Sequence, residues 1–299
     1  MTCVLCGAHT FTSVWGVKKC ITCGLVQVVP MPSEKKIHGL YDDDMQHFEP
    51  YIAQIPVHRK YFRKTLQAVI PAKAGIRVSS IKPKPIRQLA DDKKPKLLDI
   101  GCAMGILLEE AKRAGYSVQG IDISADAVAY CRKKGLPVYQ GTVTSPAVAG
   151  LNSFDVVTAF EIIEHEREPL PMMKRIHKLL KNGGIAVLTT PNHDSGWRKI
   201  MGRWWVGYRH PEHVTFWDPA TLRELFKRAG FENSIIRRDC PRPFPLSFVF
   251  IRGADYVPCL AGRRAWAAWV LKPVGQLLER FKIRNPINPW DDLIVIGKK

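Results

Sequence analysis

Short apolar runs alternate with amphipathic segments through the middle and the end of the chain. The apolar runs predict strands at residues 97–101, 118–124, 138–141, 154–160, 185–190 and 293–299. The segments with helical spacing predict helices at residues 106–115, 125–135, 172–184 and 219–230. Strands that alternate with helices in this way indicate an α/β fold, with a parallel sheet covered by helices on both faces.

The segments on either side of this core differ from it in composition and in the pattern of apolar residues. Residues 33–96 read as a helical connector, with an amphipathic stretch at 57–70, followed by a basic, proline-rich loop. Residues 195–217 combine tryptophan with arginine and lysine and are expected to form a lid or acceptor region. Residues 240–290 are expected to form a helical insertion before the last strand. The predicted division is therefore 1–32, 33–96 and 97–299.

Charge is concentrated in the same flanks. The 299 residues include 45 Lys and Arg against 27 Asp and Glu, a formal net charge of +18. Residues 97–194 are nearly neutral, with 10 basic and 11 acidic side chains, whereas residues 195–299 have 19 and 9. A basic excess of this size suits an anionic membrane surface, a nucleic acid or an acidic substrate. A merely solvated basic surface is the alternative.

The N-terminus lacks a basic start followed by an apolar run, and no stretch approaches about 18 uncharged apolar residues. Four of the eight cysteines fall within the first 23 residues, which is not the distribution of a secreted disulfide scaffold. We therefore expect a cytoplasmic protein, with peripheral contact to the inner face of the membrane as an option. The sequence says nothing about oligomeric state.

Two CxxC pairs occupy the N-terminus. Cys3 and Cys6 form the first pair and Cys20 and Cys23 the second, and a glycine follows each pair. Four thiolates at this spacing suit tetrahedral zinc. Because four protein ligands leave no position open for substrate, we expect a structural zinc site. The module resembles zinc ribbons, which serve nucleic-acid binding, protein contacts or folding alone.

A turn of small residues follows the first core strand. Asp99, Gly101, Ala103 and Gly105 belong to the run DIGCAMG, and small residues here let the backbone approach a ligand closely. Asp122 lies 21 residues after Gly101, at the end of the next predicted strand, where a carboxylate can accept hydrogen bonds from ribose hydroxyls. Together the two features indicate an adenosine-containing cofactor.

These motifs resemble those of class I S-adenosylmethionine-dependent methyltransferases. The resemblance covers residues 96–239 and implies a Rossmann-like, doubly wound sheet of seven strands that binds S-adenosylmethionine. Alanine at 103 departs from the family's second glycine. The family's binding positions correspond to Asp99, Gly101, Cys102 and Gly105 for methionine and ribose, Asp122 for ribose, Ile123, Thr142 and Val143 for adenine, and Phe160 and Glu161 beside the methyl donor.

An acid–histidine cluster ends the fourth predicted strand. Glu161, Glu164 and His165 stand at i, i+3 and i+4, so one helical turn would gather their side chains on one face. Two carboxylates and an imidazole can hold a divalent ion, or His165 can act as a general base. A polar loop that caps the next helix is the third interpretation.

This ExxEH pattern resembles that of ubiquinone-biosynthesis O-methyltransferases and of small-RNA 2′-O-methyltransferases. In the latter group a downstream histidine completes a site for Mg²⁺ or a similar ion. His213 falls at the matching place in this chain, and His210 is the second choice. The resemblance therefore leaves open a metal site, a metal-free base and a structural role.

These motifs and the resemblance together predict an S-adenosylmethionine-dependent O-methyltransferase acting on a small, lipid-linked or glycan-type acceptor. An RNA methyltransferase is the main alternative, although FEIIEH after the fourth strand is not a base-methylating signature. A sugar C-methyltransferase is a further alternative, weakened by the absence of that family's long additional C-terminal domain. A non-enzymatic zinc-ribbon adaptor is disfavoured because the cofactor motifs are intact.

Overall fold

The computed structural model describes residues 1–39, 52, 54–69, 94–238, 273, 274, 277 and 292–299. The strands of this part of the chain are β1 (Phe11–Val14), β2 (Val17–Cys20), β3 (Val26–Gln27), β4 (Lys96–Ile100), β5 (Ser117–Asp122), β6 (Val138–Gln140), β7 (Phe154–Phe160), β8 (Leu180–Pro191), β9 (Thr215–Phe216), β10 (Asn233–Arg237) and β11 (Asp292–Lys298). The α-helices are α1 (Glu34–His38), α2 (Ile55–Val69), α3 (Ile106–Arg113), α4 (Ala125–Lys133), α5 (Pro169–Leu179), α6 (Gly196–Met201) and α7 (Pro219–Ala229).

Seven strands form the central sheet in the order β10-β11-β8-β7-β4-β5-β6. The strands from β6 to β8 run parallel, while β11 is antiparallel to both β8 and β10. Strand order reverses between β4 and β7, so the carboxyl ends of these two strands flank a crevice. The seven-stranded, Rossmann-like sheet expected from the sequence is confirmed.

Helices cover both faces of this sheet, as expected for a doubly wound fold. One apolar cluster packs α5 and α7 on one face, with Met173, Ile176 and Phe226 fully buried. The other packs α2, α3 and α4 on the opposite face, with Leu108 and Ala127 fully buried. The strands are apolar on both sides because both faces are covered.

The helix predicted at 172–184 is displaced in the structure. It begins at Pro169, which supplies a pre-organised φ in the first turn, and it ends at Leu179. Leu180 already pairs with Phe154, so the Gly183–Gly184 pair belongs to the long strand β8 rather than to a helix end. Strand β10, which pairs with β11 at the sheet edge, was not predicted from the sequence.

A second, four-stranded sheet has the order β1-β2-β3-β9. Its first three strands come from the cysteine-bearing N-terminus, and its fourth comes from residues 215–216 of the core. Cys3, Leu5, Cys20 and Leu25 pack in the same apolar cluster as Trp217 of the core. The N-terminal module is thus joined to the core by strand pairing and by a shared hydrophobic interior.

Two expected segments lie mostly outside the described residues: the basic loop at 72–96, apart from 94–96, and the helical insertion at 240–290, apart from three positions. The expected lid at 195–217 consists of α6, two short 3-10 turns (Gly202–Trp204 and Val206–Arg209) and β9. Within the described ranges, no helix has the length and hydropathy that crossing a bilayer requires.

Candidate active site

The turn after β4 is held close to the neighbouring strand. The backbone amides of Gly101 and Cys102 both donate to the carbonyl oxygen of Ile121, at 2.8 and 3.1 Å. Gly101 has φ 70°, and a Cβ there would lie 2.1 Å from Cδ1 of Ile162. Ala103 has φ 44°, a conformation that favours glycine, which gives a physical reason for the family's glycine at this position.

Two buried carboxylates organise this turn. Asp122 accepts hydrogen bonds from the amides of Ala103 (2.7 Å) and Ser124 (2.9 Å), and each oxygen keeps a second lone pair for a ligand. Thr158 donates to Asp99 at 2.7 Å. Despite that bond, burial raises the pKa of Asp99 to about 7, and burial also raises the pKa of Asp122. Both carboxylates are therefore poised to stabilise a positively charged or hydroxyl-bearing ligand.

A cavity of about 390 Å³ opens beside the turn, a size typical of small-molecule sites. It brings together most of the residues singled out in the sequence, from two edges of the crevice. Those in its wall are Asp99, Gly101, Cys102, Asp122, Ile123, Thr142, Val143, Phe160, Glu161 and His165. Gly105 lies behind the wall, where a Cβ would approach Leu136 and Cys131 to within 3 Å.

The acid–histidine loop begins with a strained residue. Glu161 has φ 55°, in the left-handed region, and its amide donates to the carbonyl of Thr189 at 3.0 Å. Its carboxylate accepts from the hydroxyl of Thr189 at 2.8 Å. Non-glycine residues in this conformation are costly and persist where the surroundings hold them, which is frequent at functional sites.

Glu164, His165 and His213 offer ligand atoms that all lie within 4.8 Å of one another. Among the described residues, Glu161 is not part of this group; Glu161 and His165 line the cavity, whereas Glu164 and His213 are not among its lining residues. The Oε1 atom of Glu164 is buried, accepts no hydrogen bond from the described part of the chain and lies 3.7 Å from Nε2 of His165. A buried carboxylate oxygen in this situation is suited to a cation.

The charge states of the cluster follow from its burial. Burial and the neighbouring Glu161 raise the pKa of Glu164 well above its usual range. Burial, with His165 and His210 nearby, lowers the pKa of His213 to about 3. Nδ1 of His213 lies 3.0 Å from the carbonyl oxygen of Gly207, which can only accept, so Nδ1 carries the proton. Nε2 of His213 is left with a free lone pair for a ligand or a proton.

Helix α2 supplies one wall of this cavity. Its residues were not predicted from the sequence to belong to the site. His58, Tyr61 and Phe62 line the cavity, and the Phe62 ring stacks on Phe160 with centroids 5.8 Å apart. Ion pairs from Arg59 to Glu109 and Glu110 of α3 hold the helix in place. The sequence indicated the apolar face of residues 57–70, but it did not indicate which part of the molecule that face contacts.

Glu212 is a second residue that the sequence analysis missed. It lines the cavity and belongs with His210 and His213 to another group of potential ligands within 4.8 Å. His210 donates to its carboxylate at 3.0 Å, and although burial opposes the shift, this bond lowers the pKa of Glu212 to about 2. The run HPEH at residues 210–213 was the feature of the sequence from which Glu212 could have been predicted.

The four N-terminal cysteines converge. Sγ atoms of Cys3 and Cys23 are 3.5 Å apart, those of Cys6 and Cys20 are 3.6 Å apart, and all four lie within 4.8 Å of one another. Tetrahedral zinc with Zn–S bonds of about 2.3 Å requires sulfur separations of about 3.8 Å. Burial raises the pKa of Cys3 to about 11, so a nearby cation would be needed to hold that sulfur as a thiolate. The residues fit a zinc ion.

Comparison with known proteins assigns the family. Residues 76–234 match the family model described as a methyltransferase domain, so the chain belongs to this family of S-adenosylmethionine-dependent methyltransferases. It is similar to the ubiquinone biosynthesis O-methyltransferase of Cereibacter sphaeroides (strain ATCC 17025), with 32% identity over 148 residues, 46% of this chain and 60% of that protein. The protein of the same description from Dinoroseobacter shibae is 31% identical over 201 residues, 64% of this chain and 76% of its own length.

Solved structures agree on the fold. A methyltransferase from Archaeoglobus fulgidus that uses S-adenosylmethionine superposes with a TM-score of 0.51 and 18% identity, covering 84% of this chain and all of that one. At this identity the likeness concerns the fold alone. The chain spans 60% of the length of the Cereibacter relative. The residues that match the family model, 76–234, include the cofactor motifs but not the cysteine module.

Proposed function

We propose that this protein transfers a methyl group from S-adenosylmethionine to a hydroxyl of a small acceptor. The observation that carries the proposal is the meeting of two groups of residues at one cavity. The cofactor turn after β4 forms one wall, and Glu161 and His165 form the other. The ubiquinone biosynthesis O-methyltransferases that resemble this chain support transfer to oxygen.

The chain's own residues have three tasks in this reaction. The small-residue turn around Gly101 and the carboxylates of Asp99 and Asp122 would hold the cofactor, whose sulfonium supplies an electrophilic methyl group. Phe160 and the loop after it would orient the acceptor oxygen in line with that methyl, which gives most of the rate enhancement. The third task is to withdraw the proton of the hydroxyl, through His165 or through an ion held beside it.

Glu164, His165 and His213 suit a divalent ion, which would lower the pKa of the bound hydroxyl. The buried, unbonded Oε1 of Glu164 is the observation that favours this over a metal-free base. Mg²⁺ prefers carboxylate and water oxygens, whereas two imidazoles and one carboxylate suit Mn²⁺, Fe²⁺ or Zn²⁺ better. We therefore favour one of these three ions over Mg²⁺.

The rim of the cavity argues for a small acceptor rather than RNA. Glu161, Glu166 and Glu212 line the acceptor side, and a phosphate backbone would meet their negative charges. The aromatic wall from Tyr61 to Phe160 offers an apolar surface that a lipid-linked or ring-bearing acceptor would cover. The experiment that follows also tests for an RNA substrate.

The test is methyl labelling from tritiated S-adenosylmethionine in parallel lipid, glycan and RNA extracts. We expect label in the lipid or glycan fraction, and label confined to RNA would overturn the acceptor class. Repeating the assay after chelation, with Mn²⁺, Zn²⁺ or Mg²⁺ added back, separates the two mechanisms. Activity that survives chelation would leave His165 as a metal-free base.

We propose that the four cysteines bind one structural zinc ion. The short separations between their sulfurs support this, as do the matched turns in which Gly7 and Gly24 donate to the carbonyls of Cys3 and Cys20. Measuring metal content of the purified full chain tests it. One zinc per chain is expected, with a loss of zinc in Cys6→Ser.

A surface formed by Trp15 of the β1–β2 turn and by residues of α6 supports contact with anionic lipid. The side chains of Trp15, Trp197 and Ile200 are 49%, 39% and 78% exposed, and the Arg198 guanidinium lies 5.8 Å from the ring of Trp15. Exposed apolar side chains among cations are typical of membrane-surface contacts. Ile200→Glu should weaken co-sedimentation with phosphatidylglycerol vesicles, and equal retention on phosphatidylcholine vesicles would contradict the proposal.

A further inference from the structure

The ribbon (residues 1–32) is paired, strand to strand, with the segment that carries His213. In the small sheet, Val26 faces Phe216 and Gln27 faces Thr215 in antiparallel register. The amide of Val28 extends this pairing by donating to the carbonyl of Val214 at 2.9 Å. The residues immediately after His213 are therefore held by backbone hydrogen bonds from the ribbon.

The same two residues hold the acid–histidine loop on their other side. The amides of Val214 and Thr215 donate to the carbonyl of Glu164, at 2.8 and 3.1 Å. The hydroxyl of Thr215 donates to the carbonyl of Ile163 at 3.0 Å, and the indole of Trp217 donates to the hydroxyl of Thr215 at 2.9 Å. A bridge of two residues thus links the ribbon to the backbone of Glu164.

A second connection sets the orientation of the His213 ring. Its Nδ1 donates to Gly207, and Gly207 packs so tightly on Trp205 that a Cβ would lie 2.3 Å from the indole. Trp205 is buried in a small apolar cluster with Val17 and Val26 of the ribbon. The ribbon therefore lies beneath the turn that directs Nε2 of His213.

The cysteines determine the shape of this ribbon. Cys20 ends β2, and Cys23 lies three residues before β3. Gln27 of β3 accepts from the amide of Val4 at 3.1 Å and donates to the carbonyl of Thr2 at 3.1 Å, which connects β3 to the first cysteine pair. Strands of two to four residues bury too little apolar surface to hold this arrangement without a cross-link.

We propose that the ribbon is a positioning element of the acid–histidine site, acting through β3, Val214 and Thr215 on Glu164 and His213. This inference rests on the proposed function, since it assigns the ribbon to the acceptor side of that site. The cofactor turn is built on β4 and β5, which pair with neither β3 nor β9. Loss of the ribbon's metal should therefore disturb the acid–histidine site while leaving cofactor binding in place.

The experiment compares the full wild-type chain with Cys23→Ser, which removes one zinc ligand, and Thr215→Val, which removes one hydroxyl of the bridge. Thr12→Val is the matched control, because Thr12 is exposed on β1, which is separated from β9 by two other strands. Hydrogen exchange of the Val214 and Thr215 amides, zinc content, and S-adenosylmethionine affinity by calorimetry are measured for each. Mn²⁺ affinity by electron paramagnetic resonance reports on the acid–histidine cluster.

In Cys23→Ser we expect zinc to be lost and exchange at Val214 and Thr215 to accelerate at least tenfold, with cofactor affinity within threefold of wild type. Thr215→Val should keep its zinc and lose about tenfold in Mn²⁺ affinity, and Thr12→Val should match wild type. Unchanged exchange after zinc loss, a parallel collapse of cofactor affinity, or a wild-type chain without zinc would each overturn the inference. If wild type binds no Mn²⁺, the metal mechanism fails, while the exchange data still decide this inference.

Discussion

The cofactor side and the acceptor side of the cavity are built in different ways. The cofactor side comes from consecutive units along the chain, β4 to β6, in which each turn follows its own strand. The acceptor side collects α2, the loop after β7 and residues 205–217, and it is backed by the ribbon. The first is local in sequence and the second is assembled from segments far apart in sequence.

Because of this difference, we expect substitutions on the two sides to impair the protein in different ways. Damage to the cofactor turn should abolish ligand binding directly, because the turn itself lines the cavity. Damage to the acceptor side should spread through contacts, because its side chains are held by neighbours that come from elsewhere in the chain. Substitutions that separate the two sides are therefore the most informative.

The largest effect is expected at Gly101, the point where the two sides touch. Gly101→Val places a branched side chain at φ 70° and against Ile162, which lies between Glu161 and Glu164. We expect S-adenosylmethionine affinity, measured by calorimetry, to fall about 1,000-fold, or roughly 4 kcal/mol. Gly150→Ala is the control, because a Cβ there meets no atom within 4 Å. An affinity within tenfold of wild type in Gly101→Val would contradict the geometry of the turn.

The cofactor side was largely predictable from sequence. The strand that ends at Ile100, the small-residue turn and the carboxylate of Asp122 each follow from neighbouring residues, because parallel strands place their carboxyl ends at one edge. The positive φ of Ala103 was not predictable, since alanine seldom adopts it. The shift of the helix predicted at 172–184 arose because Leu180 pairs with Phe154, a contact between distant segments.

The second prediction breaks the acceptor side alone. Glu164→Gln keeps the shape of the side chain and an acceptor for Thr190, but it removes the carboxyl group whose Oε1 lies 3.7 Å from Nε2 of His165. We expect methyl transfer to the labelled acceptor fraction to fall about 100-fold. Cofactor affinity should stay within about twofold. Glu168→Gln, at an exposed position on the same loop, is the matched control, and an equal loss there would show a general effect of loop charge.

The acceptor side was predictable only in part. The ExxEH spacing and His213 pointed to a cluster, and the structure brings Glu164, His165 and His213 together. The wall formed by Tyr61 and Phe62 was missed because the apolar face of a helix does not indicate which residues it packs against. The pairing of β3 with β9 was missed for a related reason, since two-residue strands leave almost no periodic signal.

The third prediction concerns His193 and Tyr208, which support the acceptor side. Nε2 of His193 lies 2.6 Å from the hydroxyl of Tyr208. Burial and the nearby charge of Arg198 lower the pKa of His193 to about 4. The unfolded chain, with a histidine pKa of about 6.5, therefore binds more protons between pH 6.5 and 4, and stability falls as pH falls through this range. By pH 5 this histidine alone should account for roughly 2 kcal/mol of the loss.

Denaturant unfolding at pH 7 and pH 5 measures that loss. His193→Gln should lose less stability on acidification than wild type does. Tyr208→Phe removes the same hydrogen bond but keeps the histidine, so it should lower stability at both pH values and retain the wild-type pH dependence. An identical pH dependence in His193→Gln and wild type would show that the acid sensitivity arises elsewhere.

The smallest effect is expected at Arg59, which tests whether α2 belongs to the site. Its guanidinium joins α2 to Glu109 and Glu110 of α3, and α2 carries the Tyr61 and Phe62 wall. Because the pair is partly exposed, Arg59→Gln should cost about 1 kcal/mol of stability and lower methyl transfer to the labelled acceptor fraction about fivefold, with a smaller difference at high salt. Arg113→Gln is the matched control: it removes a cation from the same two acids but lies on α3 itself. If both variants lower methyl transfer equally, the effect comes from the acids of α3; a loss confined to Arg59→Gln assigns it to the docking of α2.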